Sequence, residues 1–291
     1  MNALFHCIVG LPRSGKTTFL AALWHIVDAG EIDTRLTLDR LVGDHSYLNS
    51  IVEKWRRCEE VQRTSSLAAE SRVTMHLKDS LTGQQISLHF PDLAGEAFES
   101  QFALRTCRSD YVDGYAKDGG ILLFVNADRG QDGMTILDLG PALGGHDEPL
   151  HSLGPESRSE ASSAVHEWAP SLVPEQVRLV DLLQFLLRPP FKRRRRRIAV
   201  AISAWDVVAD IGLAPTDWLA REMPLLHQFL RNNPDSFEYR AYGISAQGGV
   251  VKGPQRTDLL KATPSRRVRC IGQDTSGHDL TDPLVWLGGD R

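Results

Sequence analysis

Gly10-Leu11-Pro12-Arg13-Ser14-Gly15-Lys16-Thr17-Thr18 fits the pattern G-x-x-x-x-G-K-S/T. Glycines in such a loop let the main chain come close to an anion, so its N–H groups can surround phosphate oxygens. The flanks supply the context this reading needs. Leu4-Phe5-His6-Cys7-Ile8-Val9 is a short apolar run of the kind that forms a buried strand. Thr17 to Val27 carries apolar residues at helical spacing and stops near Gly30. Strand, glycine loop and helix are expected in that order, with the positive end of the helix dipole at the loop. There Lys16 would reach the β- and γ-phosphates of a nucleotide, and the Thr17 hydroxyl would sit on Mg²⁺.

The chain has 291 residues, enough for one large domain or two small ones. Its formal net charge of −4 gives no global pull toward nucleic acid or anionic membrane, and no DNA partner is expected. Cys7, Cys58, Cys107 and Cys270 are scattered with no C-x-x-C pair, which suggests neither a zinc site nor a disulfide framework. Cys7 reads as a small core residue. No stretch is long and apolar enough to span a bilayer, and no charged leader precedes the first strand. A cytoplasmic location is therefore expected.

Along the chain, Leu48, Ile51, Val52, Trp55 and Cys58 recur at helical spacing, which predicts a helix over about 46–61 with Asp44 or Ser46 as its cap. A polar loop follows at Arg63–Ser66. Arg72–Leu77 and Gln85–Phe90 alternate apolar with polar around Thr82-Gly83, a β-hairpin. The second strand runs into Pro91-Asp92-Leu93-Ala94-Gly95-Glu96. In this D-x-x-G string Asp92 can hold Mg²⁺ directly or through water, and the Gly95 N–H can reach a γ-phosphate. Gly120–Asn126 is a buried strand. Residues 129–170 read as an exposed insertion rich in Gly, Pro, Ser and His, whose His146, His151 and His166 show no ligand spacing.

Pro174–Leu187 reads as a helix stopped by Pro189-Pro190. Lys192–Arg197 is a basic run leading into the strand Ile198–Ile202. It reads either as a contact for an anion, lipid or RNA or as a solvated approach to that strand opposite acidic neighbours, and the negative overall charge favours the second. Ser203-Ala204-Trp205-Asp206 ends that strand. Two short helices split by Pro224 follow, with Trp218, Leu219, Leu225, Leu226, Phe229 and Leu230 facing inward. Tyr239–Ile244 is the last strand and ends in Ser245-Ala246-Gln247. Residues 250–279 read as loop, and Thr281–Leu287 as a short closing helix.

GLPRSGKTT, DLAGE, SAWD and SAQ stand in order, each at a strand end. The chain resembles a P-loop GTPase of the small-GTPase (TRAFAC) class over nearly its whole length. DLAGEAF and the closing DPLVWL resemble the bacterial double-GTPase group, Ras-like domains encoded beside partner proteins in conflict, defence and signalling cassettes. The resemblance implies an α/β P-loop NTPase fold: a mostly parallel Ras-like sheet with one antiparallel edge hairpin and helices on both faces. It implies a single domain over 1–291, with insertions at about 31–70 and 129–170.

It also implies roles. Gly10, Ser14, Gly15 and Lys16 would cradle the phosphates of GTP or GDP, with Arg13 and Thr18 in the same nucleotide-binding set. Thr17 and Asp92 would serve Mg²⁺. Thr64, or equally Ser65 or Ser66, would close over the metal in the triphosphate state. Gly95 would sense the γ-phosphate. Asp206 would accept from the guanine N1–H and N2 amino group, and Ser245 and Ala246 would present a backbone N–H to the guanine oxygen.

Departures from the class pattern qualify those roles. Ser203 and Ala204 replace the Asn/Thr and Lys of N/T-K-x-D, Gln247 stands where S-A-K has lysine, and Glu96 stands where a glutamine often orients the attacking water. A carboxylate there can position water but adds charge beside a polyanionic transition state. The sequence identifies no internal arginine finger; Arg13 in the loop and Arg105 or Arg108 after it are the candidates, and each also reads as a solvated surface charge. The expected function is a GTP-binding switch with slow Mg²⁺-dependent hydrolysis acting on an effector or cassette partner. A GTPase-fold scaffold or binding subunit of a multiprotein, oligomeric assembly with little turnover is the alternative, and an ATPase or a kinase acting on a small molecule is a further one.

Overall fold

The computed structural model describes residues 3–40, 46–61, 73–90, 95–128 and 169–289. The strands among them are β1 (Leu4–Val9), β2 (Leu36–Arg40), β3 (Val73–Asp79), β4 (Gln85–Phe90), β5 (Ile121–Asn126), β6 (Arg196–Ser203), β7 (Phe237–Ser245), β8 (Arg269–Ile271) and β9 (Ser276–Gly277). They form a nine-stranded sheet in the order β2-β3-β4-β1-β5-β6-β7-β8-β9. β4, β1, β5, β6 and β7 are parallel to their neighbours in this central run. β2 and β3 add antiparallel pairs at one edge, and β8 and β9 at the other.

The apolar runs explain the two-sided burial. A strand's successive side chains face opposite ways, so a run with no polar positions must be covered on both faces. Ile8, Leu122, Phe124, Ala199 and Ala201 face one layer, with α1 (Lys16–Ala29) and α2 (Ser46–Arg56). Cys7, Val9, Leu123, Val125, Val200 and Ile202 face the other. That layer holds α3 (Glu96–Leu104), α4 (Ser109–Ala116), α5 (Glu175–Phe185), α6 (Pro215–Glu222) and α7 (Pro224–Asn232). Each large apolar side chain buried this way contributes about 1.5–3 kcal/mol. Cys7 is a buried core residue, as its place in the run predicts.

Several expectations need correction. The antiparallel hairpin is not the sheet's single antiparallel element. β2, inside the stretch 31–70, pairs outside β3, and the opposite edge is antiparallel too. Residues 250–279 are not simply loop: they hold α8 (Gly253–Lys261), α9 (Pro264–Arg267), β8 and β9. α8 buries none of its residues, so it leaves no apolar stripe to read. The closing helix, α10, spans Asp282–Gly288. Residues 96–116 are largely helical, as α3 and α4. Leu225, expected inward, is 40% exposed, whereas Trp218, Leu219, Leu226 and Leu230 are buried. Asp44, Arg63–Ser66, Asp92, and His146, His151 and His166 lie outside the described residues.

The basic run is mostly taken up by the fold. Arg194 donates to the Tyr115 and Lys117 carbonyls and pairs with Asp118. Arg196 is buried and donates to the Lys192 and Arg194 carbonyls. Arg195 and Arg197 face Glu238 at 3.5 Å. Lys192 and Arg193 are exposed.

Two stability tests follow from β1 and β7. His6 is buried in β1, and its Nδ1 accepts from the Gly120 N–H at 2.9 Å. Burial pushes its imidazole down to about 4, against the Leu284 carbonyl that favours the charged form. Between about pH 6.5 and 4 the unfolded chain therefore binds the extra proton, and stability falls as pH falls. This group should make the protein about 2 kcal/mol less stable at pH 5 than at pH 7. Urea titrations at both pH values should show a slope that flattens in His6→Leu. In β7, a Cβ at Gly243 would lie 2.3 Å from the Trp205 indole. Gly243→Ala should lower the urea midpoint by the equivalent of about 1–3 kcal/mol with an unchanged m-value.

Candidate functional site

The site gathers at the carboxyl ends of β1, β4, β5, β6 and β7, where a doubly wound sheet opens a crevice. After β1 the loop turns through Arg13 at φ 64° and Gly15 at φ 89° into α1. Among the described residues no side chain caps α1's N-terminus, and no acidic residue stands in its first turn. The helix thus presents backbone N–H groups and the positive dipole end toward the loop's concavity. Lys16, only 2% exposed, lies across the loop and donates from Nζ to the Gly10 carbonyl at 2.7 Å and the Leu11 carbonyl at 2.9 Å. Ser14 Oγ is 3.4 Å from the same amine. Thr17 and Thr18 are half-buried on the first turn of α1, and Arg13 is exposed.

Gly95 closes on this loop. A Cβ there would lie 2.6 Å from Pro12 N, 2.7 Å from the Leu11 carbonyl carbon and 2.8 Å from Lys16 Nζ. Its φ of 85° also suits glycine, and it forms the N-cap of α3. Glu96, the first residue of α3, is exposed. Two oppositely oriented ion pairs join α3 to α5: Arg178 Nη1 to Glu99 at 2.8 Å, and Arg105 to Asp181. Arg105 also lies over the Phe102 and Phe185 rings. It is thus directed to α5 and not to the phosphate loop, which removes it as a finger in this conformation. Arg108 is exposed and starts α4.

The residues expected to contact the base lie at the ends of β6 and β7. Ser203 packs against the phosphate loop: a Cβ on Gly15 would lie 2.6 Å from Ser203 Cβ and 2.7 Å from its Oγ. Ser203 Oγ is buried with no hydrogen-bond partner among the described residues. Ala204 takes the left-handed conformation, φ 52° and ψ 37°, costly for a residue with a Cβ. This turn buries Trp205 against Trp218 and brings out Asp206, half-buried. Ser245 Oγ donates to Asp206 Oδ1 at 2.5 Å, so the end of β7 orients the carboxylate from β6. Ala246 follows directly, buried.

The structure thus brings Gly10, Ser14, Gly15, Lys16, Thr17 and Gly95 to one end of a crevice and Asp206, Ser245 and Ala246 to the adjoining strand ends. Asp92 and Thr64 lie outside the described residues. Sequence reading missed Asn126, whose Nδ2 donates to the Arg13 carbonyl at 3.1 Å and braces the loop from β5. It also missed Trp55, whose indole N–H donates to the Ala246 carbonyl at 2.8 Å. Neither sits in a local pattern that could have signalled it.

These residues fit the phosphates of a nucleotide, and Thr17 is the candidate magnesium ligand among the described residues. An uncapped helix start, a lysine amine at the loop and a backbone too close for side chains at residues 10, 15 and 95 make a cradle for phosphate.

Comparison with known proteins agrees with this geometry. A search of curated proteins returns no match. The GTPase-like domain of Ski7 from S. cerevisiae, solved with GTP, is 12% identical with a TM-score of 0.40 over 87% of this chain, which spans 46% of the Ski7 chain. The nucleolar GTP-binding protein 1 of Plasmodium falciparum is 16% identical with a TM-score of 0.35, covering 90% of this chain and 89% of that one. The bacterial selenocysteine-specific elongation factor EF-Sec is 12% identical with a TM-score of 0.37, covering 90% of this chain and 29% of that one. Scores below 0.5 add nothing to the sheet order already described. The model of one family, Double-GTPase 1, matches residues 7–287. With the phosphate loop, Gly95, Asp206 and Ser245 at adjoining strand ends, the chain belongs to the Double-GTPase 1 family, which implies that it binds guanine nucleotide.

Proposed function

We propose that this protein is a GTP-dependent switch that hydrolyses GTP slowly and changes its affinity for a partner protein as it does so. The observation that carries the reading is the contact of Gly95 with the phosphate loop: α3 begins within van der Waals reach of Lys16 Nζ, so whatever occupies the loop sets where α3 starts. In this reading Gly10, Arg13, Ser14, Gly15, Lys16 and Thr18 hold the phosphates, and Asp206, Ser245 and Ala246 hold guanine. Thr17, Asp92 and Thr64 are the proposed ligands of Mg²⁺, which when bound neutralises charge on the β- and γ-phosphates.

The chain's own groups then divide the work. Lys16 exchanges part of its contact with the Gly10 and Leu11 carbonyls for phosphate oxygens, a charge-assisted bond stronger than a neutral one. The Gly95 N–H reports whether a γ-phosphate is present. Glu96, exposed at the start of α3, orients the attacking water but places a negative charge beside it, which keeps turnover slow. The partner is a protein that reads α3, since the Arg178–Glu99 and Arg105–Asp181 pairs transmit a shift of α3 to α5.

The supporting experiment has two arms. Lys16→Ala should weaken GTP and GDP binding by about 10–100-fold, the scale of one lost charge-assisted contact, in a fluorescent-nucleotide titration. Glu96→Gln should raise single-turnover hydrolysis by about tenfold, which corresponds to ~1.4 kcal/mol of barrier. Unchanged binding in Lys16→Ala would reject the phosphate site. No hydrolysis above background in either wild type or Glu96→Gln would leave a nucleotide-binding scaffold in place of a switch.

A further inference from the structure

We propose that Trp55, on α2, is the positioning residue for the base-recognition loop at Ser245–Gln247, so that α2 sets how strictly guanine is distinguished. This deepens the reading just given and rests on it.

Trp55 is fully buried, and its indole N–H donates to the Ala246 carbonyl at 2.8 Å. In return Gln247 Nε2 donates to the Trp55 carbonyl at 3.2 Å. Two hydrogen bonds of opposite sense thus join α2 to the two successive residues after β7. Pinning the Ala246 carbonyl holds the 246–247 peptide plane, and so restricts the backbone of the residue whose N–H is assigned to the guanine oxygen. The second bond also accounts for a departure in the sequence. Gln247 stands where the class carries lysine, and its amide is turned to α2.

Trp55 imposes this geometry because everything else around it is fixed. The Arg267 guanidinium lies 4.8 Å from the ring centroid and donates to the Trp55 carbonyl at 3.3 Å. It also donates to the Arg56 carbonyl at 3.3 Å. Arg256 donates to the Arg57 and Cys58 carbonyls, each at 3.0 Å. Two guanidinium groups therefore occupy the carbonyls at α2's negative end, which an α-helix leaves without intrahelical donors. From α1, His25 packs on the indole with ring centroids 5.2 Å apart. The loop itself closes on the same arginine: a Cβ at Gly248, φ +89°, would lie 2.5 Å from the Arg267 carbonyl oxygen. A buried indole packed against a tilted imidazole and a guanidinium, and anchored at its own carbonyl, is restricted in its rotamers, and the loop packs against it.

The test compares GDP, IDP and ADP by competition titration on the full chain, with melting temperature recorded beside each affinity. IDP keeps the 6-oxygen and lacks the 2-amino group that Asp206 would bind. ADP replaces the 6-oxygen with an amino donor that cannot accept from Ala246. Trp55→Phe keeps the ring and removes the donor. It should lower the GDP:ADP affinity ratio about fivefold or more, the effect of one buried hydrogen bond, and leave the GDP:IDP ratio unchanged. A merely structural role would lower the melting temperature and weaken all three ligands equally, and an unchanged GDP:ADP ratio would overturn the inference. Gln247→Leu, which removes the return bond at a half-buried position, should lower the same ratio less; it decides the matter if Trp55→Phe does not fold. A wild-type protein without GDP-over-ADP preference would overturn the guanine reading itself, and this inference with it.

Discussion

The backbone at Gly15 passes so close to Ser203 that no side chain fits between them. That approach joins the end of β1 to the end of β6, and everything that forms the crevice depends on it. Gly15 needs φ 89° to start α1 with its N–H groups facing the loop. Ser203, short and at the last position of β6, permits the contact, and the chain then has to turn sharply through Ala204 at φ 52°. That turn buries Trp205 and releases Asp206 toward Ser245. A larger residue at either 15 or 203 would separate the phosphate end of the site from the base end.

The same economy of space governs the second contact. Gly95 touches the loop at Pro12, Leu11 and Lys16, so the start of α3 cannot move without disturbing the phosphate end. α3 is in turn held to α5 by two ion pairs whose charges run in opposite senses. Such pairs are weak individually where exposed, but the buried Arg178 cannot leave Glu99 without stranding its charge. The helix layer on that face is therefore packed continuously with the phosphate loop.

The parts of this architecture that were legible in the sequence are those whose signals are local. GLPRSGKTT announces its own geometry because a fixed spacing of glycines and lysine is enough to form the loop. The continuous apolar stretches within β1, β5 and β6 announce two-sided burial. What was not legible is long-range or short. β2 and β9 are edge strands and β8 lies next to the edge; with two to five residues each they are too brief to show alternation. α8 buries no residue and so has no stripe. Trp55 meets Ala246 across 191 residues, and Asn126 meets Arg13 across 113, separations over which no spacing rule operates. Ser203 and Gln247 looked like erosion of a guanine site, yet one makes the close packing at Gly15 and the other ties the base loop to α2. Part of the departure from the class pattern is thus explained by packing.

The central claim is that Asp206, oriented by Ser245, reads guanine at the end of a phosphate cradle built on Lys16. The most direct measurement is a competition titration of GTP, GDP, ATP and ADP with Mg²⁺ on the wild type and on Asp206→Ala. The account predicts a clear preference of the wild type for GTP and GDP that collapses in Asp206→Ala while residual binding through the phosphates persists. Equal or tighter binding of ATP by the wild type, unaffected by Asp206→Ala, would contradict it.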